Sequence, residues 1–211
     1  MSYKTEQESF WAGQFGKEYI SRNQSDTYLA ANVNFFSKAL SAADPLLSCI
    51  EFGANVGMNL KALRVLFPNI ELNGVEINSH AAKELRQLIG DENTSEQSIL
   101  DFESNSTFDL TLVKGVLIHI NPTELPIVYD KLYSASSRYI LICEYYNPTA
   151  VTVPYRGHND RLFKRDFAGE LLERYKGLVL RDYGFAYHRD PKFPQDDINW
   201  FLLEKQSAIQ G

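Results

Sequence analysis

"CIEFGANVGMNL", residues 49–60, decides how this 211-residue chain is read. The run leading into it, "LLSCIEFG" (46–53), is short, continuous and apolar, the pattern of a strand buried on both faces. Beyond it, "MNLKALRVLF" (58–67) recurs at helical spacing through Leu60, Leu63, Leu66 and Phe67 and stops at Pro68. Gly53 and Gly57 therefore lie between a buried strand and a helix N-terminus. Backbone N–H groups and a positive helix end face a ligand there, and glycines let it approach closely. A dinucleotide fingerprint needs G-x-G-x-x-G, with pyrophosphate on the helix N-terminus. This loop instead reads Gly53-Ala54-Asn55-Val56-Gly57, with Asn55 in place of the middle glycine. Glu51 puts a carboxylate two residues before the loop, which repels a pyrophosphate and suits an ammonium group.

The same switch of period continues outward. "IELNGVEIN" (70–78) reads as a strand and "SHAAKELRQLIG" (79–90) as a helix, with Ser79 as N-cap and Gly90 past its end. "QSILDF" (97–102) reads as a short strand, and "FDLTLVKGVLIHI" (108–120) as a strand followed by a loop. "PTELPIVYDKLYSAS" (122–136) is a helix with Pro122 at its start, and "RYILICEYY" (138–146) the fifth strand. "KRDFAGELLERY" (164–175) is a helix, and "LVLRDYGFAY" (178–187) and "INWFLLEK" (198–205) are the sixth and seventh strands. Strands alternating with helices predict an α/β fold with a Rossmann-like, doubly wound sheet, right-handed crossovers and a ligand over the strands' carboxyl ends. Residues 1–45 are aromatic-rich and helical ("FWAGQFGKEYI", "LAANVNFFSKAL"), an N-terminal extension that serves as a lid or as a packed cap. With residues 46–211 it is expected to form one structural domain, as the length also favours.

Composition narrows the function classes. Apolar residues make up 44% and charged residues 23%, ordinary for a globular chain. The net charge of −6 argues against a partner bound by phosphate neutralisation, so no nucleic acid is expected. Cys49 and Cys143 sit in strand-like apolar runs and read as buried thiols in a reducing compartment. "MSYKTEQESF" is polar where a secretory signal is apolar, and no run is long enough to span a membrane. A cytoplasmic protein is expected. The four histidines are at least 30 residues apart, and no C-x-x-C or H-E-x-x-H occurs, so no metal site is expected.

Two further carboxylates extend the reading of the loop. Glu76 stands at the end of the second strand, 19 residues after Gly57, where a carboxylate can accept both hydroxyls of a ribose. Asp101 ends "ILDF", where it can accept from an adenine amino group while Leu100 and Phe102 flank the ring. A ribose, an adenine and a cation without phosphate describe S-adenosylmethionine. From Cys49 to Lys205 the chain resembles the class I S-adenosylmethionine-dependent methyltransferases. That resemblance implies an antiparallel last strand beside the fifth, and release of S-adenosylhomocysteine as product. It also implies that Gly53, Asn55 and Gly57 contact the methionine part, Glu76 the ribose and Asp101 the adenine, with Lys114, Gly115 and Val116 lining the cofactor. Glu51, Ala54, Met58, Asn59, Ile77, Leu100 and Phe102 complete the expected cofactor contacts.

A narrower likeness spans nearly the whole chain. "FWAGQFGKEYISRN" (10–23), the E-F-G-x-N-x-G loop, "VLIHINP" (116–122) and "YRGHNDRLFKRDFAGELL" (155–172) resemble the methylases associated with pseudaminic acid biosynthesis. This implies a carbohydrate setting without fixing the acceptor. It also implies that Tyr19 and Arg22 close over the amino-acid end of the cofactor, Arg22 pairing with its carboxylate.

Methyl transfer is an in-line displacement that depends on positioning in a dry pocket, and an oxygen acceptor gains from a nearby base. His119, just after the fourth strand, is the first candidate as base or orienter, and His158 the second. Glu144, Tyr145, Tyr146, Arg156, Arg161 and Lys164 border the mouth after the fifth strand and are expected to bind a small-molecule acceptor. The local excess of basic groups fits an anionic or carboxylate-bearing acceptor; ion pairing of Lys164 and Arg165 with Asp166 and Glu170 explains it equally well. A cofactor-binding protein without turnover, and a nicotinamide-dependent oxidoreductase on a similar sheet, are the alternatives.

Overall fold

The computed structural model describes residues 3–16 and 25–206. Helix α1 (Glu6–Ala12) starts at a capping box in which Thr5 and Glu8 satisfy each other's backbone N–H groups. Helix α2 (Asp26–Ala39) is capped by Ser25 and buries Ala31, Asn32, Phe35, Phe36 and Ala39. There follow β1 (Ser48–Phe52), α3 (Met58–Leu66), β2 (Glu71–Glu76), α4 (Ser79–Ile89), β3 (Thr94–Glu96) and β4 (Phe108–Lys114). Helix α5 (Leu125–Ala135) leads into β5 (Ser136–Glu144), and a small hairpin of β6 (Val151–Thr152) and β7 (Phe163–Lys164) precedes α6 (Phe167–Arg174). The chain closes with β8 (Leu178–Ala186) and β9 (Ile198–Lys205).

Seven strands form one sheet in the order β3-β2-β1-β4-β5-β9-β8. β1 pairs in parallel with β2 and β4, and β4 with β5. β9 runs antiparallel between β5 and β8, as the resemblance implies. Alternate residues of the central strands face opposite layers. Ile50, Phe52, Val113 and Ile142 pack with Val128, Leu132 and Leu171 of α5 and α6. Cys49, Leu110, Leu112 and Leu141 pack with Phe35, Leu63 and Leu85 of α2, α3 and α4. Both cysteines are buried free thiols. Among the described residues no helix is long and apolar enough to cross a membrane.

Four expectations are corrected. The third strand is Thr94–Glu96, paired with Gly74–Glu76, and not residues 97–102. That apolar segment folds back as a turn, because the amides of Asp101 and Phe102 both bond to Ser98 O. The cap of α4 is Asn78, whose Oδ1 accepts from His80 N and Ala81 N, so Ser79 is the first helical residue. Pro122 lies ahead of α5, and Phe163–Lys164 belongs to the hairpin, leaving Asp166 to cap α6.

Candidate cofactor and acceptor site

The parallel strands deliver their carboxyl ends to one edge of the sheet, and the glycine loop turns there. Gly53, Asn55 and Gly57 all have positive φ, at 76°, 50° and 81°. A Cβ on Gly53 would stand 2.6 Å from a Val116 methyl, so packing as well as backbone conformation demands glycine. The amides of Gly53, Ala54, Asn55 and Gly57 are used inside the protein. Gly53 N and Ala54 N donate to Val75 O at 2.8 and 3.0 Å, and Gly57 N to Ala54 O at 2.9 Å. Asn55 N donates to Glu76 Oε2 at 2.7 Å. A phosphate cradle presents such N–H groups outward; this loop turns them inward and sets a carboxylate beside them.

Glu76 is buried at the end of β2 and lines the cavity. Its other oxygen accepts from Asn78 N at 2.7 Å. Burial raises its pKa, opposed by the amides of Asn78, Asn55 and Ile77. Behind the loop runs a buried amide chain: Gln195 donates to Asn32 at 3.0 Å, Asn32 to Asn59 at 2.9 Å, and Asn59 to Glu51 Oε1 at 2.6 Å. Glu51 is fully buried, which pushes its carboxyl up to about 8 against the Asn59 bond and Lys114. Glu51 Oε2 and Asn55 Oδ1 are buried without a hydrogen-bond partner among the described residues. Of the two, Asn55 lines the cavity, and its Oδ1 suits a ligand that brings an N–H or O–H donor.

A cavity of about 220 Å³ opens above these groups. Of the expected cofactor contacts it is lined by Gly53, Ala54, Asn55, Met58, Asn59, Glu76, Ile77, Leu100, Lys114, Gly115 and Val116. Gly115 has φ 68°, and a Cβ there would meet nothing within 4 Å, so the cavity comes up to its backbone. Four expected residues stand off it. Gly57 abuts Leu85 and Leu88, Glu51 acts from behind Asn59, and Phe102 packs edge-on against Phe52 in the core. Asp101 is exposed and ion-paired with Lys4, because the 98–102 turn carries it outward. Tyr19 and Arg22 lie outside the described residues.

On the acceptor side, His119 and Tyr145 line the cavity and the other candidates do not. His119 Nδ1 donates to the Arg161 carbonyl at 2.6 Å, and burial lowers its pKa to about 4, so the imidazole is neutral with Nε2 as an acceptor. His158 is exposed, edge-on to Phe10. Glu144 lies beneath the 115–118 segment, accepting from Val116 N and Leu117 N at 2.9 and 2.8 Å, and burial raises it to about 7. Tyr146 is exposed beside Phe201, and Lys164 lies over the Tyr145 ring. Arg156 stands over Phe15 and Tyr155. Arg161 is buried and ion-paired with Glu6 and Asp160 at 2.9 and 2.7 Å.

The residues missed from sequence come mostly from α1 and two loops. Thr5, Gln7, Glu8 and Trp11 form one wall; Tyr155 and Leu162 another; Tyr28, Gln195 and Asp196 a third. The aromatic density of "FWAGQFG" was the available signal for the first. Gln195 carries none, since only the fold sets it against Asn32. α1 is tied across the opening by Gln7 to Asp160 O at 3.0 Å and by Asn78 Nδ2 to Trp11 O at 3.0 Å.

The fold matches solved structures. Magnesium protoporphyrin IX methyltransferase from Synechocystis PCC 6803, with bound S-adenosylmethionine, aligns over 98% of this chain and 100% of its own at 14% identity, TM-score 0.67. This chain has the Rossmann-like methyltransferase fold. The 1,6-didemethyltoxoflavin-N1-methyltransferase of Burkholderia thailandensis aligns over 95% of this chain and 87% of its own, at 12% identity and TM-score 0.69. The N-methyltransferase NodS from Bradyrhizobium japonicum WM9, in complex with S-adenosylhomocysteine, covers 90% and 98% at 13% identity, TM-score 0.64. No protein-family profile matches the chain, and no curated protein matches it in sequence.

Proposed function

We propose that the protein is an S-adenosylmethionine-dependent methyltransferase acting on a small polar acceptor. The observation that carries this is the glycine loop, which spends the N–H groups of Gly53, Ala54, Asn55 and Gly57 inside the protein and leaves the Asn55 Oδ1 acceptor beside Glu76 on the cavity wall. That chemistry suits an ammonium-bearing adenosyl donor and opposes a pyrophosphate, which sets the nicotinamide alternative aside. The solved neighbours with bound S-adenosylmethionine or its product support the same reading.

In this assignment Glu76 accepts the ribose hydroxyls beyond the bonds it makes to Asn55 N and Asn78 N. The turn 98–100 supplies the wall for the adenine, with the turn's backbone and Leu100 replacing the expected contact from Asp101. Asn55 and Asn59 receive the amino-acid end, Asn59 being held in place by its bond to Glu51 Oε1. Tyr19 and Arg22 remain proposed partners of the donor carboxylate. The bound cofactor supplies a methyl on a sulfonium centre, ready for displacement by a nucleophile. The chain's own part is to hold the acceptor in line with it and to exclude water, a role α1, which lines the cavity, would share. His119 Nε2 is the group placed to orient an acceptor hydroxyl or amine. The likeness to methylases associated with pseudaminic acid biosynthesis favours a carbohydrate-linked acceptor, and the buried free thiols fit a cytoplasmic location.

Thermal unfolding with S-adenosylhomocysteine or with NADH tests the assignment. At a hundredfold excess over Kd, the former is expected to stabilise by about 2.7 kcal/mol. Stabilisation by NADH alone would reverse the assignment, and a labelled methyl donor then tests turnover.

A further inference from the structure

The half of the cavity away from the glycine loop is built on rings. Trp11 packs on His119 with centroids 4.6 Å apart, and His119 on Tyr155 at 5.3 Å. All three line the cavity, each ring tilted by 52° to the next, so His119 joins the Trp11 and Tyr155 walls, with Ile118 and Leu162 also in the lining. The only hydrogen-bonding atom the imidazole can offer there is fixed. A carbonyl oxygen accepts only, so the 2.6 Å bond to Arg161 O puts the proton on Nδ1 and leaves a lone pair on Nε2.

The charges point the same way. Among the described residues, the lining carries four carboxylates, Glu8, Glu76, Glu124 and Asp196, against one cation, Lys114. That cation lies over the Tyr28 and Phe35 rings, with Asp196 and Glu51 among its electrostatic partners. The basic residues nearest the wall serve other contacts. Arg161 is held by Glu6 and Asp160 and lies over Phe10, Arg156 covers the rings of Phe15 and Tyr155, and Lys164 covers Tyr145.

We propose that the acceptor is an uncharged, hydroxyl-bearing molecule whose apolar face packs against the rings of Trp11, His119 and Tyr155 and whose hydroxyl donates to His119 Nε2. A carboxylate sets its own lone pairs against that nitrogen and adds negative charge to an already acidic lining. This inference rests on the methyltransferase reading above and replaces the anionic acceptor that the basic segment suggested. In the transfer, the acceptor oxygen's lone pair forms the new O–CH3 bond while the S–CH3 pair stays on sulfur, leaving a thioether. The oxygen, briefly carrying both methyl and proton, is far more acidic than an imidazolium, so even a weakly basic Nε2 takes the proton and passes it to solvent. A pyranose face and an aromatic ring both meet this description.

Calorimetry on the protein saturated with S-adenosylhomocysteine separates the cases, using methyl β-D-glucopyranoside against its glucuronoside, and 2-naphthol against 2-naphthoate. The uncharged member of the binding pair is expected to bind about tenfold tighter or more, and the pair that binds names the ring type. In His119→Phe that preference collapses, and in Trp11→Ala both members weaken, with melting curves confirming that the variants fold. Equal or tighter binding of the carboxylate, or no saturable binding in either pair, overturns the inference. Failure of S-adenosylhomocysteine itself to bind overturns the donor reading with it; a bound product with reversed preference sinks the acceptor class alone.

Discussion

Glu51 and His119 are buried titratable groups with opposite pH signatures. Glu51 has a folded pKa of about 8 against an ordinary 4.5, so the stability it contributes is full below 4.5 and is lost as pH rises through 8. Each pH unit inside that window costs up to about 1.4 kcal/mol. Glu51→Gln removes the titration, so the gap in stability between variant and wild type is expected to shift in the variant's favour from pH 5 to 8, as read by urea melts. A gap independent of pH means Glu51 is not held protonated. His119 works in reverse: its neutral form contributes stability above 6.5 that is lost as pH falls towards 4. Gly53 gives a second test. Gly53→Ala strains a backbone at φ 76° and drives a methyl into Val116, costing about 1–3 kcal/mol. Adding Val116→Ala relieves the collision and leaves the backbone cost, so the double variant is expected to melt above the single one. Equal melting would remove packing from the explanation of this glycine.

At the scale of elements, Asn78 joins two helices. It caps α4 through Oδ1, and its amide nitrogen reaches the carbonyls of Trp11, Ala12 and Gly13 at the end of α1. Asn78→Ala is expected to cost about 1 kcal/mol through the lost cap alone. It is also expected to speed amide exchange in residues 6–13 as well as in 79–89; unchanged exchange in α1 would show that the wall is held by its ion pairs instead. This tie was not legible in the sequence, where Ser79 looked the better cap, because its value depends on α1 lying across the loop. The 97–102 segment failed for a related reason. Ile99, Leu100 and Phe102 are apolar enough for a strand, but Ser98 accepts two backbone amides and closes a turn. Periodicity reports which residues are buried, and a short apolar run does not distinguish a strand from a buried turn.

For the whole molecule, the alternation of strands and helices carried the sheet and its parallel core, and the family resemblance implied the antiparallel β9. The glycine loop and Glu76 were legible because strand ends fix them locally. The acceptor side was less legible, because a run of arginines and lysines shows its charge in sequence and its partners only in three dimensions. Arg161 meets Glu6 from the far end of the chain, and Arg156 and Lys164 settle on rings. Donor recognition is the claim on which the rest depends, and a calorimetric titration with S-adenosylhomocysteine on wild type and Glu76→Ala tests it most directly. The account predicts saturable one-to-one binding to the wild type and a loss of about tenfold or more in the folded variant, which forfeits the ribose acceptor and the hold on Asn55. Absence of binding to the wild type, or equal affinity in the two proteins, would contradict it.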